Sequence, residues 1–242
     1  MRQGDRVVVT GPLKRHLAGA LRLRVDETVI LVDGPERLEC RVVSVGKAEM
    51  VTRVRAVSPL PDPGWRLTLA VGMPKGKKLE EIVKRAVELG VHRVQPILTE
   101  RSVPRGKEGR DRGERLAAIA LEAAQQSGRA SVPEVMAPMP FERFVDAPLA
   151  GLGVVLWEQE TAAPLLTVLK GGHLNCNEQL VQVTLLVGPE GGLSVAEVDR
   201  LTAAGYVRAG MGATILRTET ACIAGLAVLG AALEAETGDT AS

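Results

Sequence analysis

Leu185-Leu186-Val187-Gly188-Pro189-Glu190-Gly191-Gly192-Leu193-Ser194 is an apolar strand that runs into a glycine-rich turn and then into a helix start. Ser194 and Glu197 have capping-box spacing, which fixes where the helix begins. In an open α/β sheet, ligands bind beyond the carboxyl ends of the strands, and glycine there lets the backbone approach a ligand closely. The turn is therefore a candidate cofactor loop. Its Gly188-x-x-Gly191-Gly192 spacing differs from the dinucleotide fingerprint, and no Lys-Ser/Thr follows as in a phosphate-cradling loop. That disfavours nucleotide phosphates and a nicotinamide-dependent oxidoreductase. A tight strand-to-helix turn with no ligand is the plain alternative.

Downstream, Gly210-Met211-Gly212-Ala213-Thr214-Ile215-Leu216-Arg217-Thr218-Glu219-Thr220-Ala221 is a second loop of small residues between a strand and a helix. It brings Arg217 and Glu219 to the helix start, where a charged pair does not suit a core. The helix itself, Ala221 to Leu233, is rich in Ala and Gly, which permits close packing on the sheet or on a second subunit.

Upstream, strand and helix alternate. Leu67 to Val71 reads as a strand, and Leu79, Ile82, Val83, Ala86 and Val87 keep helical i, i+3, i+4 spacing up to Gly90. Val94 to Leu98 is the next strand. A basic loop from Arg101 to Arg112, carrying Lys107 and Arg110, precedes a helix with Leu116, Ile119, Ala120, Ala123 and Ala124 on one face. Strands at 154–157, 182–187 and 206–208 and helices near 162–169, 195–204 and 219–236 complete the series, which predicts a parallel sheet covered on both faces.

The pattern changes at Ser58-Pro59-Leu60-Pro61-Asp62-Pro63-Gly64, which reads as a linker. Before it, short strands at 6–9, 27–32 and 38–43, with Asp33-Gly34 as a tight turn, suit a small β-barrel. The expected domains are 1–66 and 67–242. Lys14, Arg15, Arg22 and Arg24 fall together ahead of the second strand as a candidate phosphate-binding patch.

With 242 residues, 45% hydrophobic and 24% charged, the chain has ample apolar mass for a core and is not expected to be disordered. Net charge is only +1, but residues 1–132 carry 25 Lys+Arg against 16 Asp+Glu and residues 133–242 carry 5 against 13. A front half at +9 can sit on a phosphate backbone while a rear half at −8 does something else. Cys40, Cys176 and Cys222 lie far apart, and His16, His92 and His173 lack ligand spacing, so neither a disulfide framework nor a metal site is indicated. No uninterrupted apolar run approaches the roughly 20 residues of a membrane span, and the first residues hold no signal-peptide core. A cytoplasmic protein with no membrane partner is expected.

Together these segments resemble the SPOUT class of S-adenosylmethionine-dependent RNA methyltransferases, and within it the RsmE family, which methylates N3 of a uridine in 16S ribosomal RNA. Further landmarks are Arg15-His16 with Leu21-Arg22-Leu23, Lys84-Arg85-Ala86-Val87-Glu88-Leu89-Gly90-Val91, Thr99-Glu100-Arg101-Ser102 and Glu122-Ala123-Ala124-Gln125-Gln126-Ser127-Gly128-Arg129. The resemblance implies a PUA-like RNA-binding β-barrel followed by an α/β domain with a C-terminal trefoil knot, acting as a homodimer. It places Leu186, Gly188, Glu190, Gly191, Met211, Ile215, Leu216 and Thr218 around S-adenosylmethionine, with Leu193 where an aromatic is common. Arg217 would stabilise a developing uracil anion. Glu219 would orient it, or serve only as a helix-start carboxylate. Arg15, Arg22, Arg24, Lys75, Arg101 and Arg129 would engage RNA, mainly by shape and phosphate, because only 2% of residues are aromatic. Two alternatives stand beside this reading: a SPOUT methyltransferase with another RNA target, and a non-catalytic RNA-binding ribosome-assembly protein.

Overall fold

The computed structural model describes residues 2–60, 63–102, 110–129, 131–173 and 180–238. The chain divides into two compact units, Met1–Pro61 and Asp62–Ser242. Trp65 and Arg66, assigned to the front domain by sequence, instead begin the first strand of the second unit.

The front unit is one antiparallel sheet. Its strands are β1 (Arg2–Gln3), β2 (Arg6–Thr10), β3 (Thr28–Asp33), β4 (Glu36–Val45) and β5 (Glu49–Pro59), in the order β1-β2-β5-β4-β3. Helix α1 (Gly11–Arg15) runs into a π-helical turn, His16–Ala20, between β2 and β3. Alternation puts Leu38, Cys40 and Val42 of β4 inside, against Val7, Val9, Val29, Leu31, Met50 and Leu17. β5 corrects the sequence reading, which has no strand there and starts the linker at Ser58. Met50, Val51 and Thr52 are buried in succession, so the segment lacks clean alternation, and its strand character comes from pairing with β2 and β4. Pro59 is tolerated as the terminal residue.

The second unit holds β6 (Trp65–Gly72), α2 (Lys78–Glu88), β7 (Arg93–Leu98), α3 (Arg110–Ser127), β8 (Glu134–Val135), β9 (Met139–Pro140), α4 (Phe141–Val145) and β10 (Leu152–Leu156). It continues with α5 (Leu165–Val168), β11 (Val181–Val187), α6 (Val195–Ala203), β12 (Tyr206–Ala209) and α7 (Thr218–Gly238). Arg110 and Arg112 thus belong to a helix and not to the basic loop, while Lys107 and Cys176 lie outside the described residues. The strands are parallel, ordered β12-β10-β11-β6-β7-β8, with β9 also on β7.

Both faces are covered. Leu67, Leu69, Val71, Val183, Leu185 and Val187 pack with α2, α3 and α7, while Ala70, Ile97, Val155 and Leu186 pack with Phe141 of α4 and Val198 and Leu201 of α6. All five apolar positions expected on α2 are buried. By length and composition α7 could cross a membrane, with mean hydropathy 1.3 over Thr218–Glu236, a stretch interrupted by acidic residues that a search for unbroken apolar runs passes over. Its Cys222, Leu226, Leu229 and Leu233 are fully buried on the sheet, and a Cβ at Gly225 would stand 2.8 Å from Leu185 and 2.9 Å from Leu156.

One insertion decides the site. β11 enters between β6 and β10, both earlier in the chain, so the strand that leads into Gly188 lies inside the sheet. The segment after β10 runs beside the segment after β12: Trp157 N–H donates to Ala209 O at 3.0 Å and Leu165 N–H to Gly210 O at 2.9 Å.

Candidate cofactor-binding site

A cleft of ≈ 370 Å³ opens at the carboxyl ends of β10, β11 and β12, the location favoured in open α/β sheets and a size suited to a small molecule. Three loops wall it. The first contributes Leu156, Trp157, Glu158 and Glu160, the second Val187 to Gly192, and the third Met211, Gly212, Thr214 to Thr218 and Ala221.

The middle loop is fixed from several sides. Gly192 N–H donates to Pro189 O at 2.9 Å, and Gly192 sits at φ +71° with the Glu158 carboxylate 2.5 Å from where a Cβ would be. The positive φ favours glycine, whereas the exposed Glu158 side chain could swing aside. The capping box forms, with Glu197 N–H donating to Ser194 Oγ at 3.3 Å and Ser194 N–H to Glu197 Oε2 at 2.9 Å. The other Glu197 oxygen accepts from Glu100 N–H at 2.9 Å, which ties the 99–102 segment to α6. Arg101 Nη1 donates to Gly191 O at 2.9 Å.

Of the residues that sequence placed around the cofactor, Gly188, Glu190, Gly191, Met211, Ile215, Leu216 and Thr218 line this cleft, as does Arg217. Ile215 is 81% exposed, an apolar side chain held at the lip. Leu186 is the exception: strand alternation turns it into the core with Val198 and Leu201, away from the cleft. Arg217 is exposed, and among the described residues no carboxylate is paired with it. Glu219 does not orient Arg217. Its Oε2 lies 3.3 Å from Lys78 Nζ.

The same ammonium stands 3.1 Å from Glu190 Oε1, so Lys78 bridges the middle and third loops. Lys75 N–H donates to the Glu190 carboxylate at 3.1 Å and 3.3 Å. Burial works against the Glu190 charge, but these backbone donors and Lys78 prevail and hold its carboxyl below the ordinary range. Hydrogen bonding to Glu190 lifts Lys78 above the ordinary range; desolvation opposes this, and the nearby Glu219 charge adds to the rise. Lys78 and the acidic loop after β10 were missed by sequence. Trp157-Glu158-Gln159-Glu160 at a strand end is a signal only once β10 is known to neighbour β11 and β12.

Among the RNA candidates, Arg15, Arg22, Arg24, Lys75 and Arg101 are exposed. Arg22 takes φ +54°, a conformation few non-glycine residues adopt. Arg129 is corrected: its Nη1 donates to Val87 O at 3.1 Å and also to Val91 O, and burial lowers its pKa, so it ties the end of α3 to the α2–β7 connection. Among the described residues, no three His, Cys, Asp or Glu side chains form a metal-holding group.

A parallel sheet with a glycine cradle at the ends of its inner strands defines a small-molecule-binding α/β domain. The chain belongs to the RNA methyltransferase family, whose RNA methyltransferase domain matches residues 61–230. It is 34% identical to the ribosomal RNA small subunit methyltransferase E of Synechocystis, over 94% of this chain and 74% of that protein. It is 32% identical to the Bacillus subtilis protein of that name, over 96% and 92%. Among solved structures, the Neisseria gonorrhoeae ribosomal RNA small subunit methyltransferase E bound to S-adenosyl methionine matches with TM-score 0.78 at 25% identity, covering 95% of this chain and 93% of that one. A Legionella pneumophila structure in complex with bound SAM gives 0.80 at 26%, covering 96% and 94%.

Proposed function

We propose that this chain transfers the methyl group of S-adenosylmethionine to N3 of a uridine in 16S ribosomal RNA of the small subunit. The observation that carries the reading is the meeting of two distant glycine-bearing loops, 188–192 and 211–218, across one cleft with Arg217 on its wall. The cleft fits the donor. Gly188 and Gly191 offer close backbone approach, Met211, Ile215 and Leu216 offer apolar surface to an adenosine, and Glu158 and Glu160 put negative charge on the wall that would face a cation.

S-adenosylmethionine supplies an already activated methyl group on a sulfonium, so the protein's work is positioning and charge stabilisation. Arg217 holds a fixed cation beside the uracil, where it stabilises the anion left when N3 gives up its proton to water, before that nitrogen takes the methyl group and the sulfonium becomes a neutral thioether. Glu190 and Glu219 keep the two loops in place through Lys78.

The front unit serves as a PUA-like RNA-binding barrel, with Arg15, Arg22 and Arg24 on phosphates, and Lys75 and Arg101 add contacts on the second unit. The entry of β11 between earlier strands, with the 157–165 segment against 209–210, supports a C-terminal trefoil knot. The small residues of α7 that remain outside the core, Ala227 and Ala231, suit a homodimer. The enzyme would act in the cytoplasm on assembling small subunits. Incubation with labelled S-adenosylmethionine and unmodified small-subunit particles should yield 3-methyluridine on nucleoside analysis. Label in a ribose or another base would replace the target, and no label with intact donor binding would favour a non-catalytic RNA-binding protein.

A further inference from the structure

Lys78 occupies a position that local helix physics disfavours. It is the first residue of α2, next to Lys77 and three residues after Lys75, so three cations crowd the end of a helix that already carries positive partial charge. Lys77 at the N-cap makes no side-chain capping bond. Glu80 and Glu81 in the first turn offset part of this charge, and long-range partners offset more of it: Glu190 accepts the Lys75 N–H, and the Lys78 ammonium lies 3.1 Å from Glu190 and 3.3 Å from Glu219. Glu219 Oε2 is buried and has no aligned hydrogen-bond donor among the described residues, so Lys78 is its electrostatic partner. Lys78 itself is outside the cleft lining, and Glu190 is part of it.

The geometry points to Lys78 as a positioning residue that clasps the 188–192 turn to the start of α7, setting the spacing of the two walls that receive the donor. The inference rests on the methyltransferase reading above. Without the ammonium, two carboxylates approach one another and repel, and the walls part. Lys78 acts through Glu190 and Glu219 and touches no reacting atom.

The test is calorimetric binding of S-adenosylmethionine to the full chain, alongside methyl-transfer kinetics. Failure of the unsubstituted protein to bind would sink the functional reading and leave Lys78 aside. Given binding, Lys78→Met should weaken affinity roughly three- to tenfold, as loss of two partly exposed ion pairs implies, and should raise KM for the donor more than it lowers kcat. Lys78→Arg should restore affinity. Adding Glu219→Gln to Lys78→Met should improve binding, because it removes the repulsion; a merely structural lysine would show no such gain. Undiminished affinity in Lys78→Met, no rescue by Arg, or no gain from Glu219→Gln overturns the inference. Should Lys78→Met not fold, Lys78→Gln takes its place with the same outcomes.

Discussion

Arg217 and Gly192 illustrate two ways a single side chain decides this site. Arg217 is exposed on the cleft wall and unpaired among the described residues, so its charge is available to a substrate. Arg217→Ala should lower methyl transfer by about 10²-fold, the usual cost of losing one transition-state donor, with donor affinity unchanged by calorimetry. Equal turnover would remove it from the mechanism. At Gly192 the positive φ favours glycine, and an added Cβ would have to push the end of the exposed Glu158 side chain aside. Gly192→Ala should therefore weaken donor binding by about tenfold, since the left-handed conformation costs a side chain about 1–2 kcal/mol, while the core, and hence the far-ultraviolet dichroism, stays intact. Tyr206 behaves differently again, because burial pushes its phenol up to about 12. Between the ordinary tyrosine value of about 10 and that value, the unfolded chain ionises and the folded one does not, so stability falls as pH rises, by up to about 2–3 kcal/mol. Tyr206→Phe should flatten that alkaline decline in denaturant titrations. Glu190 contributes stability above the carboxylate range and loses it as pH falls, and Lys78 contributes below the lysine range and loses it as pH rises. Their bridge is thus intact throughout neutral pH.

Helices and strands were legible wherever a local rule governed them. The buried stripe Leu79, Ile82, Val83, Ala86 and Val87 and the Ser194–Glu197 capping box follow from spacing within a few residues. Ser194→Ala should cost about 1 kcal/mol, typical for loss of an N-cap, and lower the melting temperature by a few degrees. The loss should exceed that of a surface Ser→Ala, because Glu197 also holds Glu100. β5 was not legible, since its Met50-Val51-Thr52 run is buried by partners on both sides and alternation is only partial. Arg129 misled for a related reason: a cation in a Gly-Arg sequence looks exposed, and only the nearby carbonyls of Val87 and Val91 turn it inward. Leu186 faced the wrong way because a strand buried on both sides offers no polar alternation to tell its faces apart.

Across the whole chain, charge segregates into a basic front and an acidic rear, and the exposed Arg22 and Arg24 belong to the basic part. Replacing both with Glu should weaken RNA binding, shallow the log-log salt dependence as phosphate contacts are lost, and leave donor affinity alone. Unchanged RNA affinity would move recognition away from this patch.

Composition, periodicity and two glycine-bearing segments were enough to establish an alternating α/β architecture and a β-rich front unit, and the family resemblance of those segments pointed to most of the residues that line the cleft. Each depends on interactions within a turn, a strand or a cap, where neighbours in sequence are neighbours in space. Strand order is different. That β11 lies between β6 and β10, that Glu158 comes up against Gly192, and that Lys78 joins Glu190 to Glu219 are contacts between residues 31 to 141 positions apart. Sequence spacing carries no distance information over such separations, so only the folded chain could bring those groups together.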